Sequence, residues 1–136
     1  MVKVYFSMFI NMHKESRLIL FDNLVFPFFV FSYTMVGILL TGAKLNRDDL
    51  SSTSIELLIR SSCSQNRSEC IRGSKAFGTF LESNELGIAY PSLNNPKPGN
   101  KTFYSGGFIT KNYISRINAI QAELSYVVRD GFDQQF

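Results

Sequence analysis

The stretch YSGGFITKNYISRINAIQAE, residues 104–123, decides how the rest of the chain is read. Within it, residues 117–124 are rich in side chains that suit a strand. A period of two puts Ile120, Ala122 and Leu124 on one face and Ile117, Ala119, Gln121 and Glu123 on the other. The second face is apolar where the strand begins and polar where it ends. It therefore sets an amide and a carboxylate side by side at a C-terminal strand edge, where open α/β sheets collect ligands. Glu123 is the first candidate for a working group. The competing reading is a strand that turns one face to water as it leaves the sheet, since carboxylates are mostly exposed. Ahead of the strand, Gly106-Gly107 admits backbone angles closed to other residues, or the close approach of a ligand. A phosphate cradle would need a longer glycine pattern and a following helix, so a plain turn is the expectation.

Working back from this stretch, residues 91–99 read as a loop stiffened by Pro96 and Pro98, and residues 88–90 as a short strand that Pro91 ends. Residues 74–84 make the best helix, with Phe77, Phe80 and Leu81 as a core-facing i, i+3, i+4 stripe between Gly73 and Gly87. Residues 45–60 read as a polar loop entering a helix, where Thr53 and Glu56 have capping-box spacing. Cys63 and Cys70 flank SQNRSE, a solvated turn that can bring the two thiols together. On the secretory route they would form a disulfide; in the cytosol they would be two ordinary thiols. Their spacing does not resemble a zinc site. Asn66-Arg67-Ser68 and Asn100-Lys101-Thr102 are candidate glycosylation triplets. With the cysteine pair, they fit a lumenal or extracellular C-terminal part.

The first third of the chain differs in composition. Residues 24–40, LVFPFFVFSYTMVGILL, contain no charge. Extended through residue 43, the run reaches the roughly 20 residues that a membrane-spanning helix needs. Pro27 and Gly37 are tolerated in such a helix. The run lacks a small-x-small cleavage site, so a membrane anchor is favoured over a removed signal. The soluble reading is a buried strand pair with Phe26, Phe28, Phe29, Val30 and Phe31 in a core, because buried parallel strands also read as continuous hydrophobics. The expected division is therefore an N-terminal segment over 1–23, an apolar candidate anchor over 24–43 and an α/β part over 44–136.

The chain has 136 residues, of which 45% are hydrophobic and 18% charged, with a formal net charge of +3. So small and dispersed a charge excludes an electrostatic nucleic-acid footprint. Lys44, Arg47, Arg60, Arg67, Arg72 and Lys75 read as a solvated face. A segment of this size that normally packs against a larger sheet would leave apolar surface uncovered, which suggests a fragment. Nothing in the sequence fixes an oligomeric state.

The run from Gly73 to Arg129 resembles the C-terminal part of proteins related to N-formylglutamate amidohydrolase, zinc hydrolases akin to carboxypeptidases and aspartoacylase. The resemblance rests on order and spacing: a Pro/Gly-rich loop at 91–99, then the GG-aromatic-x-T-[KR] element Gly106-Gly107-Phe108-Ile109-Thr110-Lys111, then the AIQ-x-E strand Ala119-Ile120-Gln121-Ala122-Glu123. It implies an incomplete, mixed-sheet, hydrolase-like α/β sandwich. It also implies Glu123 as the catalytic proton acceptor, Gln121 as a residue that holds the site, and Lys111, with Arg129 as a lesser candidate, for a substrate carboxylate. Thr110 would support the loop. The implied substrates are N-acyl amino acids or peptide-like amides. Complete members of the family bind zinc through histidines and an acid that lie N-terminal to this region. This chain has one histidine, His13, in an unrelated context. A single imidazole cannot make the three-ligand open site of a catalytic zinc, so the chain is expected to hold no cofactor and to be inactive alone. The alternative is a small membrane-anchored protein with a lumenal, non-catalytic binding part.

Overall fold

A computed structural model of the chain describes residues 31–114, 116–126 and 128, and the backbone of 4–8. His13, Arg129 and residues 24–30 of the apolar run lie outside the described residues. Four strands, β1 (Val4–Met8), β2 (Thr34–Gly37), β3 (Ala89–Tyr90) and β4 (Asn118–Glu123), form a mixed sheet in the order β1-β4-β2-β3. β1 runs parallel to β4, β4 antiparallel to β2, and β2 parallel to β3. Five short helices complete the α/β fold: α1 (Gly42–Asn46), α2 (Glu56–Ser62), α3 (Arg67–Arg72), α4 (Phe77–Ser83) and α5 (Phe108–Asn112).

The strand expected over 117–124 is β4, and its period of two sorts its side chains as read. Ile120 joins Val36 of β2 and Ala89 of β3 on the face that meets the helices. There they pack against Ile55 and Ile59 near and in α2, Cys70 and Ile71 of α3, and Leu81 of α4, with Ile38, Leu40 and Leu45 closing one end. Leu40 and Leu45 are completely shielded from solvent. Full burial of a side chain of this size is worth about 1.5–3 kcal/mol, which makes this face the main source of stability.

The second half of the apolar run is a strand. Residues 34–37 are β2, buried on both sides between β3 and β4, and α1 begins at Gly42. Among the described residues, no helix is long and apolar enough to cross a membrane. The spanning-helix expectation for 24–43 therefore does not hold over 34–43. β2 is buried at every position, on both faces of the sheet, so it shows no apolar/polar alternation, which is why the run reads as continuous. Gly37, which a membrane helix would merely tolerate, has a specific role here. A Cβ on it would lie 2.7 Å from the Gly106 amide nitrogen and 2.9 Å from the Gln121 carbonyl oxygen.

Three other expectations are revised in detail. Residues 42–46 form α1 where a polar loop was expected to start, because Thr41 caps the helix by accepting from the Lys44 N–H. Thr53 and Glu56 make only half of a capping box. The Glu56 carboxylate accepts from the Thr53 N–H at 2.9 Å, but the Thr53 hydroxyl is taken by the Ile55 N–H. The free N–H of Leu58 in the first turn of α2 is satisfied instead by Asn118 Oδ1 of β4, at 2.8 Å. Phe80 is 59% exposed, not core: in the seven-residue helix α4 only Gly78 and Leu81 are buried.

The SQNRSE segment is partly helical, since α3 begins at Arg67, with Asn66 as its cap. Cys63 and Cys70 form a buried disulfide across it. Two of the cations assigned to a solvated face are themselves part-buried and paired, one of them with an exposed carboxylate. Arg67 makes a two-point contact with Glu56, and Arg72 reaches Asp48, which also pairs with Lys97. Asn66 and Asn100 are both exposed.

Candidate functional site

The sheet face opposite the helices carries Gln121 and Glu123. Register fixes their neighbours: Gly37 lies across from Gln121, and Met35 across from Glu123. Met35 in turn lies beside Tyr90 of β3. Hydrogen bonds continue past the strand ends, from the Ser125 N–H to Thr34 Oγ1 and from the Tyr126 N–H to the Phe31 carbonyl. Glu123 is thus held at the C-terminal end of β4 with backbone order on both sides, half-buried where the strand interior is buried.

The segment from residue 101 to 107 crosses this face from β3 to β4. Lys101 Nζ sits 5.3 Å from the centre of the Tyr90 ring. The Tyr33 hydroxyl donates to the Thr102 carbonyl at 2.7 Å. Burial, with Tyr90 beside it, raises the pKa of that phenol above the usual tyrosine value. The Tyr104 N–H points at Met35 Sδ, and the Leu39 N–H donates to the Ser105 carbonyl. The two glycines then close onto the strands. Gly106 stands against Gly37 and has φ +124°, a region that L side chains rarely adopt. A Cβ on Gly107 would lie 2.5 Å from Gln121 Oε1. Both glycines are needed here: Gly106 for its φ and because a Cβ on it would meet the Thr110 side chain, Gly107 because a Cβ on it would meet the Gln121 amide.

A helix does follow the glycine pair, where none was expected. α5 has five residues, and it is tied to the turn by Thr110, whose hydroxyl donates to the Gly107 carbonyl at 2.9 Å, and by the Lys111 N–H to the same oxygen. Thr110 is buried and supports the loop, as its position suggested. Lys111 projects from the exposed side of this turn of helix. Gln121 Nε2 makes a long contact of 3.4 Å to Glu123 Oε1, so the amide and the carboxylate of β4 face the same space.

Of the residues singled out in the sequence, Gln121 and Glu123 are brought together on β4, and Lys111 lies on the helix whose preceding residue, Gly107, packs on Gln121. Arg129 is outside the described residues. Met35, Gly37 and Tyr104 belong to the same surroundings and were not singled out. Only Gly37 carried a signal, because an isolated glycine inside a strand marks a close backbone approach.

Among the described residues, no group of three or more His, Cys, Asp and Glu could hold a metal ion. Both cysteines are committed to the disulfide. The described donors therefore do not fit a zinc site. What remains is the work that a carboxylate and an amide do by themselves: Glu123 accepts a hydrogen bond from an amide N–H or an ammonium, and Gln121 both donates and accepts.

Another carboxylate is fully occupied. Glu82 of α4 accepts from the Ala89 N–H and from Asn95 and Asn94, tying α4 to the loop after β3. Burial pushes its pKa up, but these hydrogen bonds outweigh it and hold the carboxyl below the usual range. It has no capacity left for a ligand. No protein-family model, curated protein or solved structure matches this chain.

Proposed function

We propose that this chain is the C-terminal part of an N-formylglutamate amidohydrolase-like hydrolase domain, inactive by itself, whose Gln121–Glu123 edge binds the amide of an N-acyl amino acid or peptide. One observation carries the reading. The GG-aromatic-x-T-[KR] element and the AIQ-x-E strand, which supply the resemblance, pack directly on each other through Gly107 and Gln121. A chance likeness between two short motifs gives no reason for them to meet. In this reading Glu123 accepts the substrate's N–H, Gln121 fixes the carboxylate's orientation, and Lys111 offers an ammonium to the substrate carboxylate. Among the described residues no group of three or more His, Cys, Asp and Glu could hold a metal ion, and this reading assigns amide hydrolysis to a complete domain.

Isotope-edited NMR of the purified chain titrated with N-acetylglycine tests the reading. Saturable shifts at Gly107, Gln121 and Glu123, weakened in Glu123→Gln, are expected, with no turnover and no stoichiometric zinc. Absence of shifts at these residues sinks the binding reading, and zinc-dependent turnover that Glu123→Gln abolishes sinks the inactive one.

A second reading, a secretory or membrane-associated binding protein without catalysis, is favoured by the Cys63–Cys70 disulfide together with the exposed Asn66 and Asn100. Disulfides persist in oxidising compartments, so the lumenal or extracellular placement is common to both readings. Expression in a secreting eukaryotic host, followed by glycosidase treatment, should lower the apparent mass. An unchanged mass and a soluble cytosolic product would count against that placement.

A further inference from the structure

Resting on the lumenal or extracellular placement above, we infer that Asn100 is the residue of this chain that carries an N-linked glycan, and that α3 with its disulfide withholds Asn66 from the same modification. Both asparagines head an Asn-x-Ser/Thr triplet, and both are exposed. Exposure of the asparagine therefore does not separate them; the commitment of the rest of each triplet does. Asn66 Oδ1 accepts from the Ser68 N–H at 3.1 Å as the cap of α3, and Ser68 Oγ accepts from Arg72 Nε at 3.2 Å. Arg67, between them, is clamped on Glu56, and Ser68 is itself part-buried. The amide and the hydroxyl that the modification requires are thus both engaged within one short helix. The Cys63–Cys70 disulfide closes that segment over a separation of seven residues.

Residues 100–102 are arranged differently. Asn100, Lys101 and Thr102 are all exposed and lie outside any helix or strand. The segment is held by the Lys101 N–H on the Pro98 carbonyl, by the Tyr33 hydroxyl on the Thr102 carbonyl and by the Lys101 ammonium against the Tyr90 ring. Neither the Asn100 amide nor the Thr102 hydroxyl has a hydrogen-bond partner among the described residues. The anchors are also distant in sequence: Tyr33 is 69 residues from Thr102, and Asn46, which binds Gly99, is 53 residues away. The contacts around Asn66 span two to seven residues. Local contacts form ahead of distant ones because closing them costs less chain entropy. The 66–68 triplet is therefore engaged early, and the 100–102 triplet stays open both during folding and after it. In the transfer, the side-chain amide nitrogen attacks the anomeric carbon of a lipid-linked diphospho-oligosaccharide. The new N–C bond replaces the C–O bond to the diphosphate, which leaves with the electron pair, and the amide gives up one proton. The reaction needs an amide able to turn its nitrogen outward and a reachable hydroxyl two residues on. Asn100 with Thr102 offers both.

Expression of the full chain in a secreting eukaryotic host, with and without glycosidase treatment, tests the inference. The parent chain should lose the mass of one glycan. Asn100→Gln should abolish that loss, and Asn66→Gln should keep it. Thr102→Ala and Ser68→Ala, which break each triplet without changing its asparagine, should repeat the two results. Replacing both cysteines by serine opens the 66–68 triplet and should add a second glycan, read in whole-cell extract so that reduced secretion does not hide it. A single glycan in that variant overturns the shielding of Asn66 by the closed segment. A mass loss that Asn66→Gln abolishes, or two glycans on the parent, overturns the inference and leaves the placement standing. No glycosidase-sensitive mass in the parent overturns both.

Discussion

The two faces of this sheet are held by different physics. On the helical face, Val36 and Ile120 meet α2, α3 and α4 through a continuous apolar layer, reinforced by the Cys63–Cys70 disulfide and the Glu56–Arg67 pair. On the opposite face, a backbone segment lies across the strands, held by hydrogen bonds from Leu39 and Tyr33 and by glycines at positions where a Cβ would meet the Gly106 backbone, the Thr110 side chain or the Gln121 amide. The first arrangement gives stability through buried apolar area. The second brings a turn close enough to bury Gln121, which is 8% exposed, beside the half-buried Glu123.

Substitutions should separate the two faces, with the largest effect on the helical side. Ile59→Ala removes a residue only 2% exposed from the apolar layer. It should cost about 2–5 kcal/mol in denaturant unfolding. Replacing both cysteines by serine releases a short loop and should cost roughly 2–3 kcal/mol by the chain-entropy argument. Neither change touches the glycine-packed face, so N-acetylglycine affinity measured well below the unfolding midpoint should stay within about twofold if the two faces are energetically separate. Loss of binding in either variant would join the faces and break the comparison.

On the other face, the two glycines that touch β2 and β4 should behave differently. An alanine at Gly37 meets backbone, at 2.7 Å and 2.9 Å, which cannot move aside. Gly37→Ala should therefore destabilise by about 1–3 kcal/mol. An alanine at Gly107 meets only the end of the Gln121 side chain, which can rotate away. Gly107→Ala should cost under about 1 kcal/mol of stability, yet weaken ligand binding several-fold by displacing Gln121.

The smallest effect concerns pH. The Arg67 guanidinium, with the Thr53 N–H and against the opposing effect of burial, holds the Glu56 carboxyl below the usual carboxylate range. Its folded value lies below its unfolded one. The stabilisation is therefore complete above roughly pH 4.5 and is lost as pH falls through the folded value. Stability measured from pH 6 to 3 should fall less steeply in Glu56→Gln than in the parent chain. Equal slopes would show that the pair contributes nothing.

What could be read in the sequence was whatever depended on local period or spacing. The strand that became β4, the short strand before Pro91 and the nearness of Cys63 to Cys70 needed no knowledge of the rest of the fold, although whether the two thiols pair was left to the compartment. What could not be read depended on distant partners. β2 looked like part of an anchor because burial of both its faces removes its alternation. Thr53 looked like a cap because Asn118, which satisfies the first turn of α2, is 60 residues from Leu58. α5 was missed because a five-residue helix held by Thr110 has too few turns to show a period. Within the candidate site, Gln121 and Glu123 were visible from strand period alone, whereas the opposing Met35 and Gly37 follow only from register.

The central claim is that the glycine turn, and not the apolar layer, sets the position of the Gln121 amide beside the Glu123 carboxylate. The most direct measurement compares the Gln121 side-chain NH2 and Glu123 carboxyl NMR signals in the parent chain and in Gly107→Ala. The account predicts large shifts at both groups, with amides of α2, α3 and α4 unchanged. Unmoved Gln121 and Glu123 signals in a folded Gly107→Ala protein would contradict it.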